Sequence, residues 1–141
     1  MFQELQDQMQ CQAGLLLAGR FEDMSQGYMF PMPVYLEGRM ICLRNPAEGI
    51  VQAAALREAL RRRQIETLTI TLRALEVPQD DRFRVWADWH AASPVKGRSG
   101  RLGLICYMRE TPVGFRSEML HYFIPRPRGG RASCAPQRLR A

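Results

Sequence analysis

The chain has 141 residues, of which 46% are hydrophobic and 24% charged, a composition typical of one globular domain with a sizeable core. The formal net charge of +6 is unevenly distributed, because five arginines and no acidic residue follow Ile124 and residues 1–124 carry only +1. The body of the chain therefore lacks the basic surface expected of a sequence-specific nucleic-acid-binding domain.

An apolar stripe at three- and four-residue spacing predicts that the N-terminal region is helical. The stripe consists of Leu5, Met9, Ala13, Leu17, Phe21, Met24 and Tyr28. Gly14 and Gly19 disfavour one uninterrupted helix. They mark either a close backbone approach or a break into two helical pieces.

Two prolines, Pro31 and Pro33, end the helical region and favour extended backbone. Two short apolar runs follow, at residues 34–36 and 39–43, on either side of the Glu37-Gly38 pair. This arrangement predicts a β-hairpin.

A second helix is predicted to begin directly after the hairpin. Asn45 is a good N-cap, Pro46 suits the first helical position, and Glu48 stands where a capping box needs a carboxylate. We expect this helix to continue to about Gln64.

Four strand patterns complete the body of the chain, at residues 67–77, 83–89, 102–109 and 115–124. The short turns between them predict an antiparallel meander. In the first of these strands the apolar alternation slips in phase near Arg73-Ala74, which predicts a β-bulge there. Helices followed by a meander indicate an α+β fold.

Alternation along the strands divides their residues between two faces of the sheet. The inner face is expected to hold Leu68, Ile70, Leu72, Phe83, Val85, Ala87, Trp89, Leu102, Leu104, Cys106, Met108, Phe115, Met119, His121 and Phe123. The outer face is expected to hold Trp86, Ile105, Tyr107, Leu120, Tyr122 and Ile124. Because the helices can cover only one face, an apolar outer face predicts a homodimer, with a monomer as the alternative.

The C-terminal segment differs in composition from the rest of the chain. Residues 125–141 are rich in Pro, Gly and Arg and contain a single large aliphatic residue, Leu139. Such a segment cannot bury enough apolar area to offset its ordering entropy. We therefore divide the chain into a domain at residues 1–124 and a basic disordered tail at residues 125–141, which as an alternative could contact a polyanion.

The four cysteines, at positions 11, 42, 106 and 134, are too far apart in sequence to form a Cys-x-x-Cys metal or redox pair. Three of them lie in apolar segments, which is typical of free thiols in a reducing compartment. Glu4 and Asp7 argue against a secretory signal, and no apolar run approaches the roughly 18 residues of a membrane span. These features predict a cytoplasmic protein that does not enter the membrane.

The order of elements, together with several segments, resembles the nuclear transport factor 2-like superfamily and its bacterial SnoaL-like members. The segments that carry the resemblance are residues 28–36 (YMFPMPVYL), the helix at 45–64, the strand at 83–89 (FRVWADW), and residues 101–107 leading to 119–123. The resemblance implies a cone-shaped, cystatin-like roll, in which a strongly curved antiparallel sheet wraps the helices around an apolar pocket. It also implies dimerisation through the outer sheet face, and little about chemistry, because sites are grafted separately onto shared folds.

Within such a pocket, His121 is the one inward-facing residue expected to titrate near neutral pH. It is therefore the candidate catalytic base. Alternatively, it is a structural histidine at the core edge, or it lies on the dimer side if the face assignment is inverted. The candidate ligand contacts are Tyr28, Tyr35, Trp89, Met119 and His121.

The sequence contains no P-loop, no Gly-x-Gly-x-x-Gly motif and no metal-ligand spacing, so neither a cofactor nor a metal is expected. Asp88 and His90 share a strand face with Arg84, which favours a salt bridge at the surface or interface over a catalytic pair. Three functions stay open. The chain binds a small apolar molecule in the pocket of a homodimer; it is an isomerase, dehydratase or cyclase with a histidine base; or it is a non-catalytic dimeric protein-interaction module.

Overall fold

The computed structural model of the chain describes residues 1–125, so the predicted tail beyond Pro125 lies outside the described residues. These residues form helices α1 (Phe2–Ala18), α2 (Phe21–Ser25) and α3 (Pro46–Arg62). They also form strands β1 (Met32–Leu36), β2 (Arg39–Leu43), β3 (Thr67–Leu75), β4 (Arg82–Ala92), β5 (Gly100–Thr111) and β6 (Gly114–Phe123). No helix within residues 1–125 is both long enough and apolar enough to cross a membrane.

The N-terminal helical region is divided at Gly19, as one of the two sequence alternatives held. Gly19 adopts a left-handed conformation with φ of 75°, and its backbone N–H donates to carbonyl oxygens of the last turn of α1. Glycine adopts this conformation without the steric penalty that a Cβ imposes. The chain therefore turns at this point and starts the short helix α2.

The start of α3 has the predicted cap. The side chain of Asn45 accepts a hydrogen bond from the backbone N–H of Glu48 at 3.0 Å, with Pro46 at the first helical position. The Glu48 carboxylate in turn accepts from the backbone N–H of Arg44 at 2.9 Å. These bonds satisfy donors that a helix N-terminus leaves unpaired.

The six strands form one sheet in the order β2-β1-β6-β5-β4-β3. The hairpin β1–β2 and the antiparallel meander β3–β6 are as predicted. However, β1 and β6 pair in parallel, so the six-stranded sheet is antiparallel at every junction but this one. After β2, α3 carries the chain to the far edge of the sheet, and three antiparallel steps then return it beside β1 in the same direction.

Two bulges interrupt the meander. The first lies between Leu72 and Ala74 in β3, where the phase slip predicted it. The second lies in β6, because Met108 pairs with Ser117 while the adjacent Tyr107 pairs with Met119, which leaves Glu118 as the extra residue. A bulge of one residue exchanges the two faces of the strand beyond it.

The bulge at Glu118 inverts the predicted faces of the C-terminal half of β6. Leu120 pairs with the buried Cys106 and is itself only 6% exposed, so it lies on the inner face. Tyr122 lies on the same face, opposite Leu104. Phe115, before the bulge, faces inward as predicted and contacts the ring of Phe83.

This bulge corrects the face that the sequence predicted for three residues. Met119, His121 and Phe123 were predicted on the inner face and instead lie on the outer one. Their cross-strand partners on β5 are Tyr107, Ile105 and Gly103. The prediction is wrong because it continued an uninterrupted alternation through Glu118.

The core lies between the helices and the inner face of the sheet. From α1 it takes Leu5, Met9, Ala13 and Leu16, and from the strands it takes Leu68, Ile70, Leu72, Phe83, Val85, Ala87, Leu104, Cys106, Met108 and Leu120. The inward positions of β4 and β5 agree with the sequence prediction. All three helices therefore lie on the inner side of the sheet. Within residues 1–125, no helix packs on the opposite face.

Helix α1 also closes the edge of the sheet at β3, through two glutamines four residues apart. Gln6 donates to the carbonyl oxygen of Ile70 at 2.7 Å and accepts from the backbone N–H of Leu72 at 2.9 Å. Gln10 donates to the carbonyl oxygen of Leu68 and accepts from the N–H of Ile70, both at 2.9 Å. The two amides thus replace the neighbouring strand that an edge strand lacks.

We expect Gln10→Leu to lower the free energy of unfolding by about 1–3 kcal/mol, because it leaves one N–H and one carbonyl of the partly buried edge unpaired. Urea denaturation followed by circular dichroism measures this loss. Gln3→Leu is the matched control, since Gln3 lies exposed on the same helix and bonds only to Asp7. The control should change stability by less than about 0.5 kcal/mol. Equal effects of the two substitutions would show that the edge bonds do not stabilise the fold.

Candidate functional site

A cavity of about 320 Å³ lies between α3, the β1–β2 hairpin and the inner face of the meander. Met32, Val34 and Ile41 line it from the hairpin, and Ala53, Leu56 and Ala59 line it from α3. The sheet contributes Trp89, Leu102, Leu120 and Tyr122. Gln52, Tyr28, Tyr122 and Trp89 add polar atoms to a wall that is mainly apolar. The volume and the lining both fit a small-molecule site.

A second, much smaller space of about 40 Å³ lies towards α1. Its lining is mainly apolar, and Gln8, Gln12, Cys106 and Ser117 contribute polar or polarisable groups to it. Both spaces are lined by Met24, Tyr28, Trp89, Leu120 and Tyr122, so they adjoin through these side chains. The site therefore has a large apolar part and a small inner space, whose lining is also mainly apolar.

The aromatic side chains at the junction pack edge to face. The rings of Trp89 and Tyr122 have centroids 5.6 Å apart at 84°, and those of Tyr28 and Phe30 are 6.2 Å apart at 83°. Burial raises the pKa of Tyr28 well above its ordinary value, with Cys106 adding to the shift. Burial likewise raises the pKa of Tyr122, with Tyr28 and Cys106 as further causes. Both phenols are therefore neutral at physiological pH and retain their hydroxyl protons.

Cys106 is the one cysteine among residues 1–125 that lies in the core. Burial raises the pKa of its thiol to about 12, and a hydrogen bond with Ser117 opposes this shift to a smaller extent. Ser117 is itself buried and donates to the sulfur of Met108 at 3.3 Å. At neutral pH Cys106 is thus a protonated, weakly nucleophilic wall residue.

Gln12 brings an amide to the inner end of the site. Its Nε2 donates to the carbonyl oxygen of Met24 at 3.1 Å. Its Oε1 is buried and makes no hydrogen bond to any part of residues 1–125. Buried side-chain oxygens are nearly always paired, so this atom stands out as an unpaired acceptor.

The structure separates the predicted site residues into two groups. Tyr28 and Trp89 line the cavity as predicted. Tyr35, Met119 and His121 lie on the outer face, where Tyr35 pairs in register with His121 and their rings are 5.9 Å apart. The prediction that His121 faces the pocket is wrong, and its proposed role as a base there loses its geometric basis. The outer position is the inverted alternative that the sequence left open.

Tyr122 and Gln12 are two of the lining residues that sequence reasoning missed. Tyr122 was placed outside because the bulge at Glu118 was not recognised, although the run of three polar residues Arg116-Ser117-Glu118, which interrupts the alternation, was a signal for it. Gln12 gave no signal, because it lies beside the apolar stripe of α1 and reaches the interior through the length of its side chain.

A wider concavity of about 430 Å³ lies elsewhere on the sheet, near Glu76, Arg84 and Glu118. Its charged groups are already paired with each other: Arg84 binds Glu76 at 2.6 Å, and Arg82 binds Glu118 at 3.3 Å. Such mutual pairing leaves little unmet charge for a ligand. The apolar cavity is therefore the better candidate.

The acidic residue singled out on β4 has partners other than those predicted. Asp88 binds Arg73 at 3.0 Å and Arg101 at 3.3 Å on the outer face, whereas Arg84 binds Glu76. The bulge in β3 and the register with β5 bring these two arginines beside Asp88. Within residues 1–125, no group of three or more His, Cys, Asp or Glu side chains is placed to hold a metal ion.

No protein-family model matches the chain, and no curated protein matches its sequence. Solved structures are nevertheless similar to it in fold. A nuclear transport factor 2-like protein with a cystatin-like fold from Novosphingobium aromaticivorans superposes with a TM-score of 0.67 at 15% identity, over 92% of this chain and 86% of that chain. A domain of unknown function with a cystatin-like fold from Nostoc punctiforme gives 0.69 at 7% identity, over 94% and 82%.

A ketosteroid isomerase-like protein from Erwinia carotovora atroseptica is also similar, with a TM-score of 0.61 at 9% identity over 82% of this chain and 89% of that chain. Identities this low establish the fold alone. The chain therefore has the nuclear transport factor 2-like, cystatin-like fold, which confirms the resemblance drawn from the sequence. The strong curvature that the family implies stays a prediction.

We expect the protein to lose stability at alkaline pH partly through Cys106. The pKa of its thiol is about 12 in the folded chain against 9.0 for the unperturbed group. Because the folded pKa is the higher one, the stabilisation is complete below pH 9 and is lost as pH rises towards 12, by up to about 1.4 kcal/mol per pH unit.

Urea denaturation from pH 8 to 11 measures this dependence, and Cys106→Ala should decline less steeply than the wild type. The buried phenols contribute in the same direction in both proteins, so the difference between the two slopes is the informative quantity. Parallel curves would contradict the assignment of this thiol as a buried, protonated group.

Proposed function

We propose that this nuclear transport factor 2-like protein binds a small, largely apolar molecule in the cavity between α3 and the sheet, and that it does so as a homodimer. The observation that carries the proposal is the cavity of about 320 Å³ with its mainly hydrocarbon and aromatic walls. An apolar ligand that buries on the order of 200 Å² there would gain about 5 kcal/mol from leaving water, before the entropic cost of association.

The chemistry of the lining supports binding over proton transfer. Among the described residues that line the two spaces, none is Asp, Glu or His. The groups that can ionise are Tyr28, Tyr122 and Cys106, and burial raises the pKa of each. A general acid or base works best with a pKa near the working pH. An isomerase, dehydratase or cyclase with His121 as its base finds no support in this arrangement.

The homodimer is supported by a row of aromatic and apolar side chains across the outer face. In register from β4 to β2, cross-strand neighbours are Trp86, Ile105, His121, Tyr35 and Met40. Met119 and Phe123 flank His121 on the same face, and the ring of Phe123 lies 6.1 Å from the imidazole. A contiguous apolar surface of this kind is typical of an interface, and a two-fold axis lets one surface serve both copies. A dimer that acts through protein partners stays the alternative function.

Filling the cavity should abolish ligand binding without harming the fold. Ala53 lines the cavity from α3, so we expect Ala53→Phe to weaken the binding of naphthalene by more than about tenfold, equivalent to 1.4 kcal/mol. Isothermal titration calorimetry, supported by thermal shift, measures the affinity. Ala54→Phe is the matched control, because Ala54 is the next residue on the same helix and is exposed. The proposal fails if neither the wild type nor the control binds the probe, or if the two variants bind it equally well.

A charge in the outer row should dissociate the dimer. We expect size-exclusion chromatography with light scattering at about 10 μM to give twice the chain mass for the wild type, within the usual affinity range of stable interfaces. Ile105→Glu should give the mass of a single chain, because it places a carboxylate in the centre of the apolar row. Thr69→Glu, an exposed outer-face position on the edge strand β3, should leave the dimer intact. A wild type that elutes as a monomer would refute the interface.

A further inference from the structure

We propose that one end of the sheet, away from the cavity, docks on the phosphate backbone of duplex DNA without reading its sequence. The surface consists of two segments, residues 61–66 at and after the C-terminus of α3, and residues 93–101 between β4 and β5 and at the start of β5. We call these two segments the basic end. Their one acidic residue is Glu66, and their six basic residues are Arg61, Arg62, Arg63, Lys96, Arg98 and Arg101.

Hydrogen bonds join the two segments of the basic end. Arg63 donates from Nε and Nη2 to the carbonyl oxygen of Arg98 at 3.2 and 2.9 Å, and Arg98 donates from Nη1 to the carbonyl oxygen of Arg62 at 2.9 Å. A guanidinium carries five N–H groups, so these bonds use only part of the donor set of each side chain. Both guanidinium groups therefore lie at the contact between the segments and keep further donors for an anion.

The carboxylates nearest to the basic end are shared between arginines. Glu58 binds both Arg61, at 3.1 Å, and Arg62, at 3.4 Å. Asp88 is likewise shared by Arg101 and a second arginine. The side chains of Arg61 and Arg62 are 69% and 77% exposed, so solvent weakens their ion pairs. Positive charge is thus in excess over negative charge at this surface.

The opposite end of the sheet has no such excess. Arg82, Arg109 and Arg116 lie there in one cross-strand row, and Glu118 binds the first two of them at 3.3 Å. Three further acidic residues adjoin this row: Asp80, Asp81 and Glu110. Residues 1–124 carry only +1 in total, so their positive charge is unevenly placed and its excess lies at the basic end.

The arginine-rich C-terminal sequence is joined to the fold at the same end. Phe123, the last residue of β6, pairs with Gly103, which lies two residues along β5 from Arg101. The sequence beyond residue 125 adds five arginines and no acidic residue. The strand that leads into these arginines therefore ends beside the basic end.

The composition of the basic end favours a duplex over a single strand or a membrane. Residues 61–66 and 93–101 include no aromatic residue, whereas proteins that bind single-stranded nucleic acid stack its bases on aromatic rings. Of the large hydrophobic side chains in these segments only Val95 is exposed, at 36%. One valine is too little apolar surface for insertion into a lipid interface.

The serine hydroxyls of the loop are engaged within the loop itself. Ser99 Oγ donates to the carbonyl oxygen of Ser93 at 3.4 Å and accepts from its N–H at 2.9 Å, and Ser93 Oγ accepts from the N–H of Val95 at 3.0 Å. Duplex RNA is recognised largely through its 2′-hydroxyls, which these groups do not reach out to bind. Guanidinium groups bind phosphate, which duplex DNA presents at one charge per about 1.7 Å. Duplex DNA is therefore the occupant that we assign.

Fluorescence anisotropy of the full-length protein with labelled DNA duplexes of about 24 base pairs tests the proposal. We expect two duplexes of unrelated sequence to bind with affinities within about twofold of each other. Raising KCl from about 50 to about 150 mM should weaken binding by more than about tenfold, because each phosphate contact releases a counterion.

The double variant Arg62→Gln with Lys96→Gln locates the surface. It should weaken binding by at least about fivefold at about 50 mM KCl and reduce the slope of log K against log salt by about 2. Arg82→Gln with Arg116→Gln is the matched control, because it removes the same charge from the opposite end of the sheet. The control should bind DNA within about twofold of the wild type.

Four outcomes overturn the proposal. The first is that neither DNA duplex binds, and the second is that the two double variants weaken binding equally, which would make net charge the cause. The third is that an RNA duplex of the same sequence binds more tightly than the DNA. The fourth is that vesicles of about 30% phosphatidylserine bind the protein more tightly than DNA does, which would make a lipid surface the occupant.

Discussion

The single residue Glu118, inserted as a bulge in β6, determines what the two faces of the sheet present. Beyond it, Leu120 and Tyr122 turn inward and complete the cavity wall beside Trp89. The same step turns Met119, His121 and Phe123 outward and completes the apolar outer row. Without the extra residue, the imidazole would line the interior and the phenol would be exposed. Both the neutral character of the cavity and the apolar character of the outer face therefore follow from one local feature of the backbone.

Most of the fold could be predicted from the sequence, because most helices and strands show a clear alternation of polar and apolar positions. The cap at Asn45, the hairpin, the bulge in β3 and the inward faces of β4 and β5 are all confirmed. In β3 the phase slip is visible because threonines and arginine alternate with aliphatic residues. Beyond Glu118, β6 is apolar on both faces, so a shift of one residue changes nothing in the pattern of hydrophobicity. The direction in which a long side chain extends cannot be predicted from the sequence either. For this reason Gln12 could not be assigned to the site.

Helix α1 is attached to the rest of the fold by hydrogen bonds from its glutamines as well as by the packing of its apolar stripe. Gln6 and Gln10 occupy the edge of β3, Gln8 donates to the carbonyl oxygen of Phe115 at 2.8 Å, and Gln12 binds the end of α2. These amides reach backbone groups on both sides of the helix and fix its position against the sheet. The large cavity lies between α3 and the sheet, and α1 lines only the small space beside it.

In the C-terminal half of β6, Tyr122 faces the cavity and His121 faces away from it. Nuclear Overhauser effects between bound naphthalene and the protein test this claim most directly, because they report distances of about 5 Å or less, close to the range of side-chain packing. We expect cross-peaks from the probe to the rings of Trp89 and Tyr122 and to the methyl groups of Leu56 and Leu120, with none to His121. Cross-peaks to the His121 imidazole in place of those to Tyr122 would contradict it.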